Sequence, residues 1–425
     1  MIGRPTPQAF ALATLLAWCL FLGVLCDRLE LLVAALPLAM GFLSAAWSAL
    51  HPRFGLAQTV SGSRVAEGGR VTVHAKLDAA DTLPIAEILS PVPRQLTLVS
   101  GNNRTVQTVE AGGSVDWSFD IDCPARGRFD LGTAFVRLWD RSGLRVAECR
   151  LAQNAEVAVY PGVERLRHVP QPLRTQSSFG NYVSAQVGEG IEPGDLRPFA
   201  SGDRVRRINW RATARRGELY VTRFQEERNA DVVLLLDALS DCGAPPHSSL
   251  DLGVRAAAAL AHAYLARKDR VGFIEYGGFL RWISPGTGRR QGEAVAEALL
   301  PAATHFSYVA PRLDRLPPRI LPANALVIAL SPLLDGRFTD ALADLVARGF
   351  DVILVAISPV EATRRSLDGS RVDDLACRLW ALEWRAKLNA LKRHGVRAAE
   401  WDGAAPLEAV LSGLARIRPG WAGRP

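Results

Sequence analysis

The chain has 425 residues, 48% of them hydrophobic, so it can bury a sizeable core in two or three domains, and intrinsic disorder is excluded. Its net charge of +7 and isoelectric point near 9.3 suit an anionic lipid surface, a nucleic acid or an acidic protein, without choosing among them. The six cysteines are scattered and form no C-x-x-C pair, which argues against a zinc or dithiol site and predicts reduced, structural thiols in the cytosol.

Two apolar runs, 9–26 and 31–50, open the chain with a short polar turn between them. Each has about the ~20 residues that a helix needs to cross a bilayer core. A cleaved signal peptide is the alternative for the first run, but its basic region is a lone Arg4 and a second apolar run follows at once. We therefore predict a transmembrane helical hairpin over residues 1–53. The flanking Arg4 and Arg53 place both ends in the cytoplasm, which predicts an inner (cytoplasmic) membrane protein with two transmembrane helices and cytoplasmic soluble domains.

A β-rich domain is predicted over residues 54–165. Short alternating runs such as 70–76 and 114–120 are separated by Gly and Asn turns, which is typical of a small antiparallel sandwich or barrel. No residues in it have catalytic spacing. The alternatives are a presentation or interaction module and a spacer, and we favour the passive role.

The next segment, 166–230, is rich in arginine and contains the aromatic residues Trp210, Tyr220 and Phe224. Its arginines between Arg197 and Arg228 are Arg204, Arg206, Arg207, Arg211, Arg215, Arg216 and Arg223. Guanidinium groups beside aromatic rings could hold phosphates and stack on bases, but acidic residues lie among them. Three interpretations stay open: a structural ion-pair network, a docking surface for an acidic protein, and a site for nucleic acid or lipid headgroups.

Within this segment a long motif resembles the signature of the domain of unknown function 58 family of bacteria and archaea. The motif consists of 193–195, 202–203, 206–219 and 224–227, with the signature residues Asp203, Arg206, Arg207, Asn209, Trp210, Arg211, Arg215, Gly217, Glu226 and Glu227. Two upstream stretches, 126–129 and 140–144, also resemble the family. Asn209 stands where the family generally has aspartate, which puts an acid role there in doubt.

The resemblance implies an N-terminal membrane hairpin and a von Willebrand factor A-like domain. It also implies a protein partner, a MoxR-type AAA+ ATPase, with which the chain would act in assembly or activation of other complexes.

From residue 231 onward, apolar strands alternate with amphipathic helices. Strands are predicted at 231–236, 270–276, 279–283, 325–330, 351–357 and 396–401, and helices at 250–268, 338–347, 372–394 and 407–417. This order predicts a mostly parallel, doubly wound α/β domain over 231–425. A glycine-rich basic stretch, 286–290, is expected to be a surface loop.

The first strand of this domain ends on Asp237, where a site is expected in an open α/β sheet. A von Willebrand factor A-like domain often holds Mg²⁺ there through Asp-x-Ser-x-Ser, but this chain has Leu239 and Asp241 at the later positions. Pro332 stands at a further ligand position, and Asp335 follows three residues later. We therefore predict a degenerate metal-ion-dependent adhesion site in which Asp237, Asp241 and Asp335 either hold Mg²⁺ or Mn²⁺ or cap helices and turns. No other cofactor is expected.

No intact catalytic motif is present. A phosphate loop, a dinucleotide turn, His-Glu-x-x-His and Gly-x-Ser-x-Gly are all missing from the sequence. Phosphatase chemistry on Asp237 would need a second carboxylate at the position of Leu239. The leading hypothesis is accordingly a membrane-anchored adaptor and not an enzyme. A divalent-metal-dependent hydrolase using Asp237 and Asp241 is the second hypothesis, and nucleic-acid or anionic-lipid binding by the arginine-rich segment is the third.

Overall fold

The computed structural model describes residues 4–47, 52–171, 182–200, 208–228, 230–309, 311–365 and 367–416, with only the backbone given for 46–47, 182–195, 222–228 and 415–416. The chain is a mixed α/β, multi-domain protein. It divides into two compact units, Met1–Tyr160 and Pro161–Pro425.

The first unit opens with strand β1 (Arg4–Pro5) and two apolar helices, α1 (Pro7–Leu25) and α2 (Leu29–Trp47). Helix α1 lacks charged residues, and it is the one helix in the described chain that is long and apolar enough to cross a membrane. The apolar part of α2, Leu29–Ala45, is shorter, and α2 contains Pro37. The two helices pack against each other, and a Cβ at Gly23 would lie 2.9 Å from a methyl group of Leu32.

Eleven strands follow in the first unit. They are β2 (Phe54–Val60), β3 (Arg64–Ala66), β4 (Gly69–Ala79), β5 (Leu83–Leu89), β6 (Thr97–Gly101), β7 (Arg104–Val109), β8 (Ser114–Cys123), β9 (Gly127–Asp130), β10 (Thr133–Trp139), β11 (Arg145–Ala152) and β12 (Glu156–Tyr160). They form sheets in the orders β1-β11-β10-β5-β7, β2-β4-β8-β6 and β3-β12-β9. The pairing is antiparallel except between β3 and β12, so the domain departs from the purely antiparallel arrangement that we predicted.

Alternating side chains of these strands build the core of the first unit. Leu77 of the four-stranded sheet packs with Ile88 and Val136 of the five-stranded sheet. Val73 and Phe119, also of the four-stranded sheet, belong to a second cluster with strands of the three-stranded sheet. The period of two in these strands therefore places apolar side chains between sheets, as in a sandwich.

The ends of the helical pair lie on the β-rich part of the same unit. Strand β1 pairs with β11, and the Thr6 hydroxyl, which caps α1, donates to the Gly143 carbonyl at 2.9 Å. At the end of α2, the Arg145 guanidinium donates to the Ala45 carbonyl at 3.2 Å. The start of α1 and the end of α2 are thus held by the loop 140–144 and the first residue of β11, while the turn between the helices lies at the other end of the pair.

The second unit contains eight strands and seven α-helices in its described part. They are β13 (Tyr182–Pro198), α3 (Trp210–Arg216), β14 (Tyr220–Arg228), β15 (Asp231–Asp237), α4 (Ser249–Ala266), β16 (Arg270–Tyr276), β17 (Leu280–Gly286), α5 (Gly288–Leu299), β18 (Leu326–Ser331), α6 (Gly336–Ala347), β19 (Asp351–Ile357), α7 (Pro359–Arg364), α8 (Arg371–Arg393), β20 (Arg397–Trp401) and α9 (Leu407–Arg416). Strands β13 and β14 form an antiparallel pair.

The main sheet has the order β17-β16-β15-β18-β19-β20 and is parallel except at its β17 edge. In the central strand β15, Val232, Leu234 and Leu236 join one apolar cluster with α4 and α9. Val233 and Leu235 join another with α6 and α8. Every residue of β15 is buried because helices cover both faces, which is the doubly wound arrangement predicted from its unbroken apolar run.

Three helices of this unit were not predicted from the sequence. The stretch 286–290, expected to be a surface loop, contains the start of α5, whose residues Val295 and Leu299 are buried on one face. Helix α7 begins at Pro359, which is a favourable first helical residue. Helix α3 lies inside the arginine-rich segment, where charge dominates the composition and hides the helical pattern.

Candidate functional site

Strand order reverses in the main sheet beside β15, which leads to β16 on one side and to β18 on the other. Ligands of doubly wound sheets bind outside the carboxyl ends of the strands at such a switch point. Asp237 ends β15 and Ser331 ends β18, so the topology brings together two residues that are 94 positions apart in the chain. This carboxyl edge is the candidate functional site.

Asp237 is almost completely buried, with 1% of its surface exposed. Its Oδ2 accepts a hydrogen bond from Ser331 Oγ at 2.5 Å, and its Oδ1 accepts one from the Leu239 backbone N–H at 3.0 Å. Burial raises the pKa of Asp237 to about 7, although these two hydrogen bonds oppose the shift. The nearby Asp335 raises this pKa further, and Arg337 lowers it. A buried carboxyl that changes charge near neutral pH therefore lies at the switch point.

Asp241 stabilises the start of helix α4. Its Oδ1 accepts hydrogen bonds from the backbone N–H groups of Cys242 at 2.8 Å and Leu250 at 2.9 Å, and from Ser249 Oγ at 2.8 Å. A carboxylate in this position satisfies donors at a helix N-terminus that have no partner inside the helix.

Asp335 is the N-cap of helix α6 and forms an ion pair with Arg337. The carboxylate accepts from the Arg337 backbone N–H at 2.8 Å and from its guanidinium Nη2 at 2.6 Å. Hydrogen bonding by Arg337 lowers the pKa of Asp335. The same guanidinium donates through Nη1 to the Ser307 carbonyl at 2.7 Å, so it ties the connection between α5 and β18 to this edge.

The donor set does not fit an octahedral divalent cation. Leu239 offers no ligand atom and packs in an apolar cluster, while Asp241 already accepts from three donors. No group of three or more His, Cys, Asp or Glu side chains suited to a metal occurs in the described part of the chain. These contacts favour the second of our two interpretations, in which Asp241 and Asp335 cap helices.

The signature motif builds a helix–turn–strand element. Asn209 Oδ1 accepts from the Ala212 N–H at 3.0 Å and caps α3, which explains how asparagine can replace the family's aspartate, because both are good N-caps. Gly217 ends α3 with φ of 76°, a left-handed conformation that favours glycine. The Asn209 N–H then donates to the Tyr220 carbonyl at 2.8 Å, which joins the element to β14.

The polar signature residues are not gathered at the carboxyl edge by any contact that the structure describes. Arg211 and Arg215 are exposed on α3, together with Trp210, which is 64% exposed. Glu226 and Glu227 lie in β14, where only the backbone is described. The remaining three signature residues, Asp203, Arg206 and Arg207, lie outside the described residues.

The sequence prediction missed a cluster of exposed apolar side chains at the carboxyl end of β16. This aromatic patch consists of Phe279, Trp282, Phe306, Tyr308 and Val309, which are 53%, 46%, 81%, 91% and 73% exposed. Phe306 and Tyr308 meet edge to face with ring centroids 4.7 Å apart. Phe279 stacks on His305 with ring centroids 5.0 Å apart. An apolar run between two regular elements, 305–309, is the signal that could have revealed it.

The patch is held on the sheet edge by specific contacts. Tyr276 Oη donates to the Pro311 carbonyl at 2.9 Å, and Arg337 holds the Ser307 carbonyl as described above. A Cβ at Gly278 would lie 2.5 Å from the His305 carbonyl oxygen, so glycine is required for the loop to pass so close to the turn. The loop and the end of β16 therefore form one surface beside Asp237 and Asp335.

Comparison with solved structures gives only weak similarity. The cupredoxin domain of amoB from Nitrosocaldus yellowstonii is 14% identical, and the match covers 27% of this chain and 95% of that one with a TM-score of 0.17. A FixG-related protein from Vibrio parahaemolyticus is 10% identical, with coverages of 25% and 95% and a TM-score of 0.16. Scores this low support no conclusion about fold or function.

Sequence comparison gives a clearer result. Uncharacterized proteins of Mycobacterium tuberculosis and Mycobacterium bovis are each 32% identical to this chain over 114 residues. The match covers 26% of this chain and 36% of each relative, so the chain spans about a third of the length of these curated relatives. Residues 195–368, which include the signature element, β15 with Asp237, and the aromatic patch, match a family model. The family that this model describes is "Protein of unknown function DUF58", and these residues of the chain are similar to it.

Proposed function

We propose that this chain is a membrane-anchored, cytoplasm-facing adaptor that binds a protein partner through the aromatic patch at the carboxyl edge of its α/β sheet. The observation that carries the proposal is the patch itself: five large apolar side chains, each at least 46% exposed, on the β16–β17 hairpin and on the 305–309 loop, which hydrogen bonds hold in place. Contiguous exposed apolar surface on a soluble domain marks interaction sites. Aromatic side chains are also the residues most enriched where binding energy concentrates in protein interfaces.

The charges around the patch favour a protein over a nucleic acid. Arg281, which lies over the Phe279 ring, forms an ion pair with the buried Glu275. The arginines at positions 312 and 337 are paired with the aspartates at 314 and 335. Since each of these arginines already has a carboxylate partner, phosphate binding would have to compete with an existing ion pair. Apolar contact with a protein surface requires no such exchange.

The N-terminal helices are the evidence for the proposed membrane anchor. We propose that α1 and α2 together form a two-span hairpin and that the β-rich part and the α/β unit lie in the cytoplasm. Both outer ends of the helical pair contact the loop 140–144 or the first residue of β11, which suits a hairpin that enters and leaves the membrane on one side. Arg4 and Arg53 flank the pair on that side, in agreement with the positive-inside rule.

The family resemblance suggests a MoxR-type AAA+ ATPase as the partner to test first. It also suggests that the α/β unit is von Willebrand factor A-like, and the doubly wound sheet supports this assignment. A hydrolase using Asp237 and Asp241 is disfavoured because Asp237 is buried and Asp241 is engaged by three donors. Recognition without a metal is therefore the mechanism that we propose.

The proposal is tested with the full-length chain in lipid nanodiscs and the purified ATPase from the same organism. The double variant F306A/Y308A should weaken binding by tenfold or more, because truncating an aromatic hot spot costs about 2 kcal/mol or more. F135A is the matched control, since Phe135 is a comparably exposed phenylalanine of the β-rich part at 46%. Unchanged affinity in F306A/Y308A would place the interface elsewhere. A loss of binding in a triple R206E/R207E/R215E variant alone would assign it to the arginine-rich segment.

A further inference from the structure

Helix α8 has two apolar faces, of which only one is covered. Its buried face carries Cys377 and packs on the sheet through Trp384, Leu388 and Leu391, and Trp384 Nε1 donates to the Pro332 carbonyl at 2.7 Å. The other face carries Val372, Leu375, Leu379 and Leu382, which are 76%, 61%, 58% and 65% exposed. A helix on the surface of a globular domain normally has one apolar stripe, toward the core.

The exposed residues have the spacing of a coiled-coil seam. Positions 372, 375, 379 and 382 follow steps of three, four and three residues, which are successive a and d positions of a heptad repeat, and Ala386 occupies the next a position. Such a stripe faces a second helix rather than a flat surface, because a and d side chains insert between four residues of a partner helix. The stripe is only about two heptads long, so it needs a helix that is already folded, and α8 is fixed by its buried face.

We infer that α8 is the dimerisation helix of this protein and that it pairs in parallel, in register, with α8 of a second copy. The charges beside the stripe favour a second copy of α8 as the partner helix and a parallel direction for the pair. With Val372 at position a, Arg371, Arg378 and Arg385 fall at g, and Glu383 falls at e. In a parallel pair, g of one helix meets the next e of its partner, so Arg378 faces Glu383 of the partner subunit twice, once on each side of the seam.

An antiparallel pair is disfavoured by the same charges. In that arrangement g positions face g positions, and all three g positions on this seam are arginine, so like charges would oppose one another across it. Arg378 and Glu383 are both exposed, and neither forms an ion pair with another residue in the described part of the chain. A parallel pair has its two-fold axis along the helices, so equivalent atoms of the two copies lie at equal heights along that axis.

The test is the oligomeric state of the full-length chain, measured by native mass spectrometry from detergent and by single-molecule photobleaching in liposomes. We expect a dimer for the wild type. L375E/L382E should raise the dimer dissociation constant at least about a hundredfold, since each buried leucine contributes about tenfold or more. Because both side chains are exposed in the single chain, the variant should still unfold cooperatively, at a temperature below that of the wild type only by the stabilisation that dimerisation adds. V163E, at another exposed apolar residue that is 48% exposed, should leave the dimer intact.

A charge exchange tests the direction independently of any effect of the leucine variant on folding. R378E should weaken the dimer by placing glutamate against glutamate, and R378E/E383R should restore it. A dimer strengthened by R378E would overturn the parallel arrangement. A wild-type chain that stays monomeric in both detergent and liposomes would overturn the inference.

Discussion

Replacing Asp237 with asparagine should change how the stability of the α/β unit depends on pH. Asparagine has the size of the neutral acid, and its Oδ1 can still accept from the Leu239 N–H while its Nδ2 donates to Ser331 Oγ. The substitution therefore keeps the hydrogen-bonded geometry of the switch point. It removes only the negative charge that the buried site disfavours.

The magnitude follows from the difference between the folded pKa of about 7 and the ordinary value of 3.8. Because the folded pKa is raised, the folded chain binds more protons than the unfolded chain between these two values. The contribution of Asp237 to stability is then greatest near and below pH 4, falls as the pH rises toward 7, and is constant above that. At about 1.4 kcal/mol per pKa unit, with the group half ionised at pH 7, the free energy of unfolding should fall by about 2 kcal/mol from pH 5 to pH 7. Asp237 is fully buried, so solvent screening does not reduce this value.

The assay is hydrogen exchange of the β15 amides in the full-length chain, in detergent with EDTA, from pH 5 to pH 8. Wild type should lose protection as the pH rises, whereas D237N should not, and D237N should be the more stable chain at pH 8. D314N is the control. Hydrogen bonding by Arg312 lowers the pKa of Asp314, so this carboxyl is charged across the whole range and D314N should keep the wild-type slope. Equal slopes in wild type and D237N would refute the reasoning.

Three further outcomes are expected. G132A should destabilise the β-rich unit by several kcal/mol, since the added Cβ would lie 2.0 Å from the Gln153 carbonyl oxygen, and a thermal unfolding scan that matches wild type would contradict this. S370A removes the capping box that Ser370 forms with Asp373 at the start of α8, so the first turn should lose about 1 kcal/mol of exchange protection relative to the last turn. Titration of Mg²⁺ or Mn²⁺ into the full-length chain should give no saturable heat, and a saturable signal that D237A abolishes would restore the metal-site hypothesis.

Local patterns in the sequence were sufficient to predict the main elements of the α/β unit. The unbroken apolar run of β15 predicted a central strand covered on both faces, because only buried parallel strands lack a polar alternation. Composition likewise predicted the apolar helix α1. The place of Asp237 at the end of a buried strand could also be predicted, since this needs only the length of the apolar run.

Other features depend on contacts between distant parts of the chain, and the sequence alone could not reveal them. The Ser331 hydroxyl reaches Asp237 only because β18 pairs with β15, and burial by the surrounding sheet and helices is what raises the Asp237 pKa. The aromatic patch exists because Tyr276 and Arg337 hold the 305–309 loop beside the end of β16.

Helix α8 shows both what the sequence determines and what packing determines. Its sequence determines that both apolar faces exist, since the positions of the leucines and tryptophans follow directly from helical periodicity. Packing decides which of the two faces lies against the sheet. The face with Trp384 is buried there, because its side chain joins the apolar cluster and its Nε1 donates to the Pro332 carbonyl. Periodicity is a local property of the chain, whereas burial is a property of everything that folds around it.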